Sequence, residues 1–224
     1  MNYICSRCGK KSDTATLKAG CECGGLWKLD YKPPKFDLDK VDQREWSLFR
    51  YRAFMPPEGE VWRDITLGEG MTPVTRFNDD ILLKMDYEMP TLSFKDRGAA
   101  VLISHCRAIG VKHVVQDSSG NAGNSVAAYA ARAGISCEIF VPEGTSPKKI
   151  AMIRAHGATC TIVPGSRDHC AAVCREKASQ EGNYYASHVY NPFFYEGTKT
   201  YIYEVYEQLG RIPANIIVPV GNGT

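Results

Sequence analysis

From about residue 61 onward, short apolar runs alternate with longer stretches in which apolar positions return every three or four residues. The first pattern is that of a strand buried on both faces, the second that of a helix with one face turned inward. Ile81-Leu82-Leu83-Lys84-Met85 predicts a strand. Residues 97–109, rich in alanine and followed by Gly110, predict a helix, because glycine just past the last periodic residue is a common stop. Residues 113–116 predict a strand, and 122–133 a helix ending at Gly134. The alternation continues with a strand over 137–141, a helix over 147–156 ended by Gly157, and a strand over 159–163. A helix over 167–180 and a strand over 184–186 follow, then one long helix over 195–209 and a final buried strand over 215–220. Strands separated by single helices imply βαβ units and a mostly parallel sheet, so the fold class is α/β.

The first sixty residues read differently. Residues 1–31 are rich in Cys and Gly and too short to bury a core of their own. Residues 32–60 hold Pro33-Pro34, a run of charges, and then Trp46, Phe49, Tyr51 and Phe54. They are expected to form an extended arm whose aromatic side chains lie on the domain that follows. At the other end the apolar run 215–220 leads into Gly221-Asn222-Gly223-Thr224. A strand feeding a glycine turn normally opens a helix, so the chain reads as one that stops inside a functional loop.

Composition narrows the classes. A hydrophobic share of 44% with 23% charged residues is that of an ordinary soluble globular protein. Twenty-seven Lys and Arg against 25 Asp and Glu leave no basic excess, and basic and aromatic residues are not interleaved. A zinc-ribbon module that binds nucleic acid is therefore disfavoured. The longest apolar runs, such as 126–131, fall short of a membrane span, and the first residues lack the pattern of a signal peptide. A cytoplasmic protein with no membrane partner is the expectation. The nine cysteines, an odd number without a secretion signal, argue against a disulfide framework. Cys106, Cys137, Cys160, Cys170 and Cys174 read as buried small hydrophobes. Cys170 and Cys174 lie four apart on one helix and share a face, but with only His169 nearby they make a poor metal site.

Three loops and one cysteine cluster carry candidate chemistry. Cys5-x2-Cys8 and Cys21-x-Cys23, with Gly9 after the first pair and Gly24-Gly25 after the second, give two thiolate pairs on tight turns. That arrangement suits a structural, tetrahedral Zn2+; a ribbon free of metal is the other reading. Four thiolates leave no open coordination position, so either role is structural. Ser93-Phe94-Lys95-Asp96-Arg97-Gly98 places a lysine where a loop enters a helix. The positive end of the helix dipole there favours the neutral amine, the form that Schiff-base chemistry needs. Ser118-Ser119-Gly120-Asn121-Ala122-Gly123 joins a strand to a helix, where successive backbone N–H groups make an anion site. Its place at the carboxyl end of a parallel strand favours a ligand over a simple turn. Gly221-Asn222-Gly223-Thr224 is a third loop of the same type.

Together these features resemble the fold-type II pyridoxal-phosphate enzymes, and among them the threonine synthases. The cysteine cluster with Gly24-Gly25 is similar to an N-terminal zinc ribbon, and Ser47-Leu48-Phe49-Arg50-Tyr51-Arg52 to the family's arm. Leu67-Gly68-Glu69-Gly70-Met71-Thr72-Pro73 resembles its Gly-Glu-Gly-x-Thr-Pro motif. Pro90-Thr91-Leu92-Ser93-Phe94-Lys95-Asp96-Arg97-Gly98 resembles its lysine motif. Asn191-Pro192-Phe193-Phe194 with Glu196-Gly197-Thr198-Lys199-Thr200 resembles a later signature. Met89 and Leu92 stand where smaller polar residues or glycine are common.

The resemblance implies two doubly wound domains with a pyridoxal 5′-phosphate cofactor between them. Residues 96–190 would be the small domain, and 61–95 with 191–224 part of the large one. Lys95 would carry the cofactor and act as acid and base, and Asn121 would bond the cofactor's 3′-oxygen. Ser118, Ser119, Gly120, Asn121, Ala122 and Gly123 would hold the carboxylate of a small amino-acid substrate. Gly221, Asn222, Gly223 and Thr224 would begin the cup for the cofactor phosphate, while the group facing the pyridine nitrogen would lie beyond Thr224. Cys5, Cys8, Cys21 and Cys23 would hold zinc, and a homodimer is compatible with the family. The implied reaction is conversion of O-phospho-L-homoserine and water to L-threonine and phosphate. A related lyase acting on threonine or diaminopropionate, a β-replacement enzyme, and an inactive fragment are the alternatives.

Overall fold

The computed structural model describes residues 1–56 and 59–221. The N-terminal segment forms three short strands, β1 (Asn2–Cys5), β2 (Lys11–Asp13) and β3 (Trp27–Leu29), in an antiparallel sheet of order β2-β1-β3. It has no core of its own. Tyr3, Cys5, Cys21 and Trp27 join the main hydrophobic cluster of the molecule, where Tyr3 meets Phe193 edge-on at 6.1 Å.

The arm that follows is coiled into 3-10 turns over Leu48–Phe54 and Val61–Asp64, where an extended segment was expected. Ser47 starts the first of these by accepting a hydrogen bond from the Phe49 N–H. Phe49, Tyr51 and Phe54 are buried as expected, but Trp46 is 68% exposed and does not dock. Next come β4 (Val74–Arg76) and β5 (Leu82–Lys84), an antiparallel pair.

The remainder is the predicted α/β alternation. In order it comprises α1 (Lys95–Ala108), β6 (His113–Gln116), α2 (Asn121–Arg132), β7 (Ser136–Pro142) and α3 (Pro147–Ala155). It continues with β8 (Thr159–Val163), α4 (Arg167–Ala178), β9 (Asn183–Tyr185), α5 (Pro192–Thr198) and α6 (Thr200–Leu209). The strands make a four-stranded, wholly parallel sheet of order β8-β7-β6-β9. The chain thus moves outward from β6 through β7 to β8, then returns to the other side of β6. Loops leaving the carboxyl ends of β6 and β9 must therefore diverge, and such a switch point opens a crevice.

Two predicted elements differ. The single helix over 195–209 is two helices, and the first starts earlier, at an Asn191 cap followed by Pro192. Proline is well suited to a first helical position, where its missing N–H costs nothing. The break falls at Lys199, next to Thr198 and Thr200, whose hydroxyls bond the carbonyls of Tyr195 and Gly197. The run 215–220 is not a strand among the described residues, and it is not buried: Ile217 is 95% and Val220 76% exposed. A buried strand needs a paired neighbour, and this run has none in any described sheet. No helix of the described residues is long and apolar enough to cross a membrane.

Candidate functional site

Lys95 is the first residue of α1 and half-buried. Its Nζ lies 4.3 Å from the Phe94 ring centre and 5.9 Å from that of Phe194. Burial pushes the amine's pKa down, so the direction expected from the sequence holds with desolvation as its cause.

The loop before Lys95 is held on both sides. Asp96 accepts from the Thr91 N–H at 2.7 Å and from its hydroxyl, and the Thr91 and Ser125 hydroxyls are 2.9 Å apart. Those bonds fasten the loop to α2. On the opposite side Arg97, wholly buried, donates to Asp86 at 2.7 Å and to Glu204 on α6 at 2.8 Å. Lys84 also pairs with Glu204, and these cations hold its carboxyl down to about 2 against the pull of burial. Between the two anchors Leu92 adopts φ +61, a left-handed conformation that glycine would adopt without strain. The bulky residue noted there in the sequence thus sits in a strained backbone, with its side chain 71% exposed.

Helix packing brings Phe194 to the lysine. A Cβ on Gly98 would stand 2.3 Å from the Phe194 ring, and one on Gly197 would stand 2.0 Å from the Arg97 carbonyl oxygen. Only glycines allow α1 and α5 this approach.

The second loop arrives on α2. Ser118, Ser119 and Gly120 precede the helix, and Asn121, Ala122 and Gly123 form its first turn. Gly123 packs so tightly under the loop that a Cβ there would meet the Ser118 carbonyl oxygen at 2.0 Å. No side chain caps this N-terminus, so its first amides are open to an anion. Tyr129, further along α2, donates to buried Glu69 at 2.8 Å; Glu69 also accepts from Leu67 N–H at 2.9 Å. Burial raises the Glu69 carboxyl to about 7.

The structure adds groups that sequence reading passed over. Asp117, following β6, accepts from the Tyr185 hydroxyl at 2.6 Å and pairs with Arg167 at 2.9 Å. His188, in the loop after β9, lies edge-on to Phe194 with ring centres 6.0 Å apart. Burial and the nearby Lys95 charge hold the imidazole down to about 4. Their positions just past strand ends were the available signal.

The third predicted loop is not assembled by the described residues. Gly221 is exposed, with nothing within 4 Å of where a Cβ would stand. Asn222, Gly223 and Thr224 lie outside the described residues. The cysteines do converge: the Sγ atoms of Cys5, Cys8, Cys21 and Cys23 all lie within 4.8 Å of one another, close enough that the four could hold one metal ion. The Arg7 and Cys8 N–H groups both donate to Cys5 Sγ at 3.4 Å, and its thiol is held down to about 6, mainly by the Cys8 N–H. Cys170 and Cys174 are wholly buried, and among the described residues no other group of three ligands gathers. All nine cysteines are free thiols.

Lys95 and His188 thus both approach the Phe194 ring, and the Thr91–Ser125 contact ties the lysine's loop to the helix whose N-terminus is uncapped.

Comparison with known proteins gives concordant matches. A family described as pyridoxal-phosphate dependent enzyme matches residues 65–224. The threonine synthase of Methanocaldococcus jannaschii is 35% identical, covering 97% of this chain and 57% of the relative. That of Mycobacterium leprae is 37% identical over 74% of this chain and 48% of the relative. The chain therefore spans about half the length of these relatives. Among solved structures, diaminopropionate ammonia lyase of Escherichia coli superposes with a TM-score of 0.59 at 21% identity, over 83% of this chain and 58% of that one. A hydrogen sulfide-producing enzyme of Fusobacterium nucleatum gives 0.55 at 25% identity, over 67% and 52%.

Proposed function

The chain belongs to the family of pyridoxal-phosphate dependent enzymes, and from that premise we propose that it carries the lysine-bearing part of a lyase of the threonine synthase type. Its substrate is O-phospho-L-homoserine, which with water gives L-threonine and phosphate. The observation that carries this reading is Lys95, whose half-buried amine opens α1 on a loop that Thr91 and Ser125 tie to α2, the helix with an uncapped N-terminus. The likeness to two threonine synthases over most of the chain supports the substrate.

The residues present fit the cofactor's aldehyde. A half-buried amine depressed by burial is the nucleophile it requires. When bound, pyridoxal phosphate supplies an electron sink for the negative charge that develops beside the substrate's amino group. The protein's own residues do the rest. The α2 amides of Asn121, Ala122 and Gly123 hold the substrate carboxylate, with Ser118, Ser119 and Gly120 closing around it. The Asn121 side chain would hold the cofactor through its 3′-oxygen. Phe94 and Phe194 keep water from the amine, which keeps it a base. Lys95 then takes the proton from Cα and moves protons at Cβ. Gly221 would begin the cup for the cofactor phosphate; Asn222, Gly223 and Thr224, expected to continue it, lie outside the described residues.

In this reading residues 96–190 form the small domain, and 61–95 with 191–224 form part of the large one. Cys5, Cys8, Cys21 and Cys23 hold a structural Zn2+, supported by the convergence of their sulfurs. A second reading, ammonia loss from a diamino acid, draws on the shared fold of diaminopropionate ammonia lyase.

The test is release of phosphate and threonine from O-phospho-L-homoserine by the purified protein with added pyridoxal phosphate. Threonine and diaminopropionate are run in parallel. No phosphate release would sink the first reading, and ammonia from diaminopropionate would establish the second. A visible absorption band on adding the cofactor, lost in Lys95→Ala, checks the lysine independently of turnover.

A further inference from the structure

A serine inside a helix commonly donates its proton to the carbonyl oxygen four residues back, as Ser104 of α1 does to Ala100 at 2.8 Å. Ser125, the fifth residue of α2, is just as buried but turns its hydroxyl to another element. It stands 2.9 Å from the hydroxyl of Thr91, in the loop before Lys95. The Thr91 proton is already given to the Asp96 carboxylate, which also accepts the Thr91 N–H at 2.7 Å. A hydroxyl has one proton, so in the contact with Ser125 the threonine accepts and the serine donates. A one-way chain therefore runs from α2 through the loop to Asp96, the neighbour of Lys95. Ser125 and Asp96 are both 0% exposed, so water does not compete for either.

Ser125 and Asn121 are four apart on α2 and share one face, with Asn121 one turn, about 5.4 Å, nearer the N-terminus. Asp96 is the second residue of α1. The chain thus joins the first turn of α1 to the second turn of α2, and both N-termini lie within about one turn of it. Lys95 and Asn121 are the first residues that the two helices present there. Asn121 is exposed, whereas every residue from 122 to 130 is buried.

Resting on the reading above, we propose that Ser125 is a positioning residue: by donating to Thr91 it fixes the N-terminus of α2 relative to the Lys95 amine, so that an amino acid held at α2 by its carboxylate presents its Cα proton to that amine. Ser125 itself touches neither substrate nor cofactor. Without its hydroxyl, α2 still holds the carboxylate and α1 still carries the amine, but nothing sets their separation. Proton transfer depends on that separation, and a misplacement of about 1 Å can cost about a hundredfold.

The probe is L-alanine, which has a Cα proton and no leaving group. Its Cα–H exchange in D2O is followed by 1H NMR with pyridoxal phosphate present. The rate is divided by the intensity of the visible band, so that protein without cofactor does not count. Ser125→Ala is expected to keep the band and slow exchange about tenfold or more, with KM for alanine changed less than about threefold. Thr91→Val, which keeps the shape and removes the hydroxyl, should match it, and Thr91→Ser should keep the wild-type rate. Combining Ser125→Ala with Thr91→Val should be no slower than either alone, since both remove one contact. A serine with only a structural role would lower the melting temperature and the band but leave exchange per band unchanged, and that result overturns the proposal. Losses that multiply in the double variant overturn it too, as does a wild type that exchanges no Cα proton. Phosphate release from O-phospho-L-homoserine is measured alongside. If release is absent while the hydroxyl-dependent exchange is present, the reading of the overall reaction fails and the positioning role stands.

Discussion

Gly98 and Phe194 are in direct apposition, the phenyl ring lying 2.3 Å from where a Gly98 side chain would begin. The ring is wholly buried. Alanine at position 98 would return about 1 kcal/mol of helix propensity, but overpacking a fixed ring costs up to about 3 kcal/mol. Gly98→Ala should therefore lower stability by about 2 kcal/mol in urea unfolding. Adding Phe194→Leu should recover part of the loss, since the two changes share one contact. A Gly98→Ala protein as stable as the wild type would mean that α1 and α5 separate freely.

The buried charge cluster gives a second expectation. Arg97 is wholly buried and pairs with Glu204, which is itself wholly buried and also pairs with Lys84. Removing one partner leaves a buried cation partly uncompensated, so Glu204→Ala should cost about 3–5 kcal/mol by urea unfolding. The Glu204 carboxyl is held at about 2, below its ordinary 4.5. Its stabilising contribution is therefore complete above 4.5 and lost as pH falls towards 2.

Glu69 works in the opposite sense. Burial raises its carboxyl from 4.5 to about 7, so the folded protein prefers the protonated form. Its contribution is complete below pH 4.5 and is lost as pH rises through about 7, amounting to roughly 3 kcal/mol across that window. Glu69→Gln, which keeps the acceptor for Leu67 and Tyr129, should flatten the pH dependence of the melting temperature between 4.5 and 7. An unchanged slope would place the titration elsewhere.

For the cysteine cluster, zinc should raise the melting temperature of metal-free protein and a chelator should reverse it. A ligand at a hundred times its Kd stabilises by about 2.7 kcal/mol. Cys8→Ser should remove the zinc response. A melting temperature indifferent to zinc in the wild type would leave the sulfurs as a ribbon without metal.

Much of this architecture was legible because glycines mark it. Gly110, Gly134 and Gly157 take positive φ at the ends of α1, α2 and α3, where the sequence put its stops. Lys95 and the 118–123 loop were legible because a helix start after a strand is a local pattern. The neighbours of Lys95 were not. Phe194 and His188 reach it through the α1–α5 approach and the β6–β9 pairing, which no local window contains. The run 215–220 was misread for a related reason: its apolar character says strand, but a strand exists only with a partner. The short strands of the cysteine-rich segment passed unnoticed because turns and thiols interrupt their alternation.

The way that segment sits has one more consequence. His105 of α1 lies flat on Phe193 at 3.7 Å, its Nε2 is 3.1 Å from the Thr14 carbonyl oxygen, and Tyr3 closes on the same phenylalanine. The ribbon, the lysine-bearing helix and α5 thus have one shared interior, and none can lose its packing without exposing the others. The chain should unfold in a single cooperative step, with calorimetric and van't Hoff enthalpies in agreement, although its sequence reads as a string of separate modules. A separate low-temperature transition for the first 31 residues would contradict this.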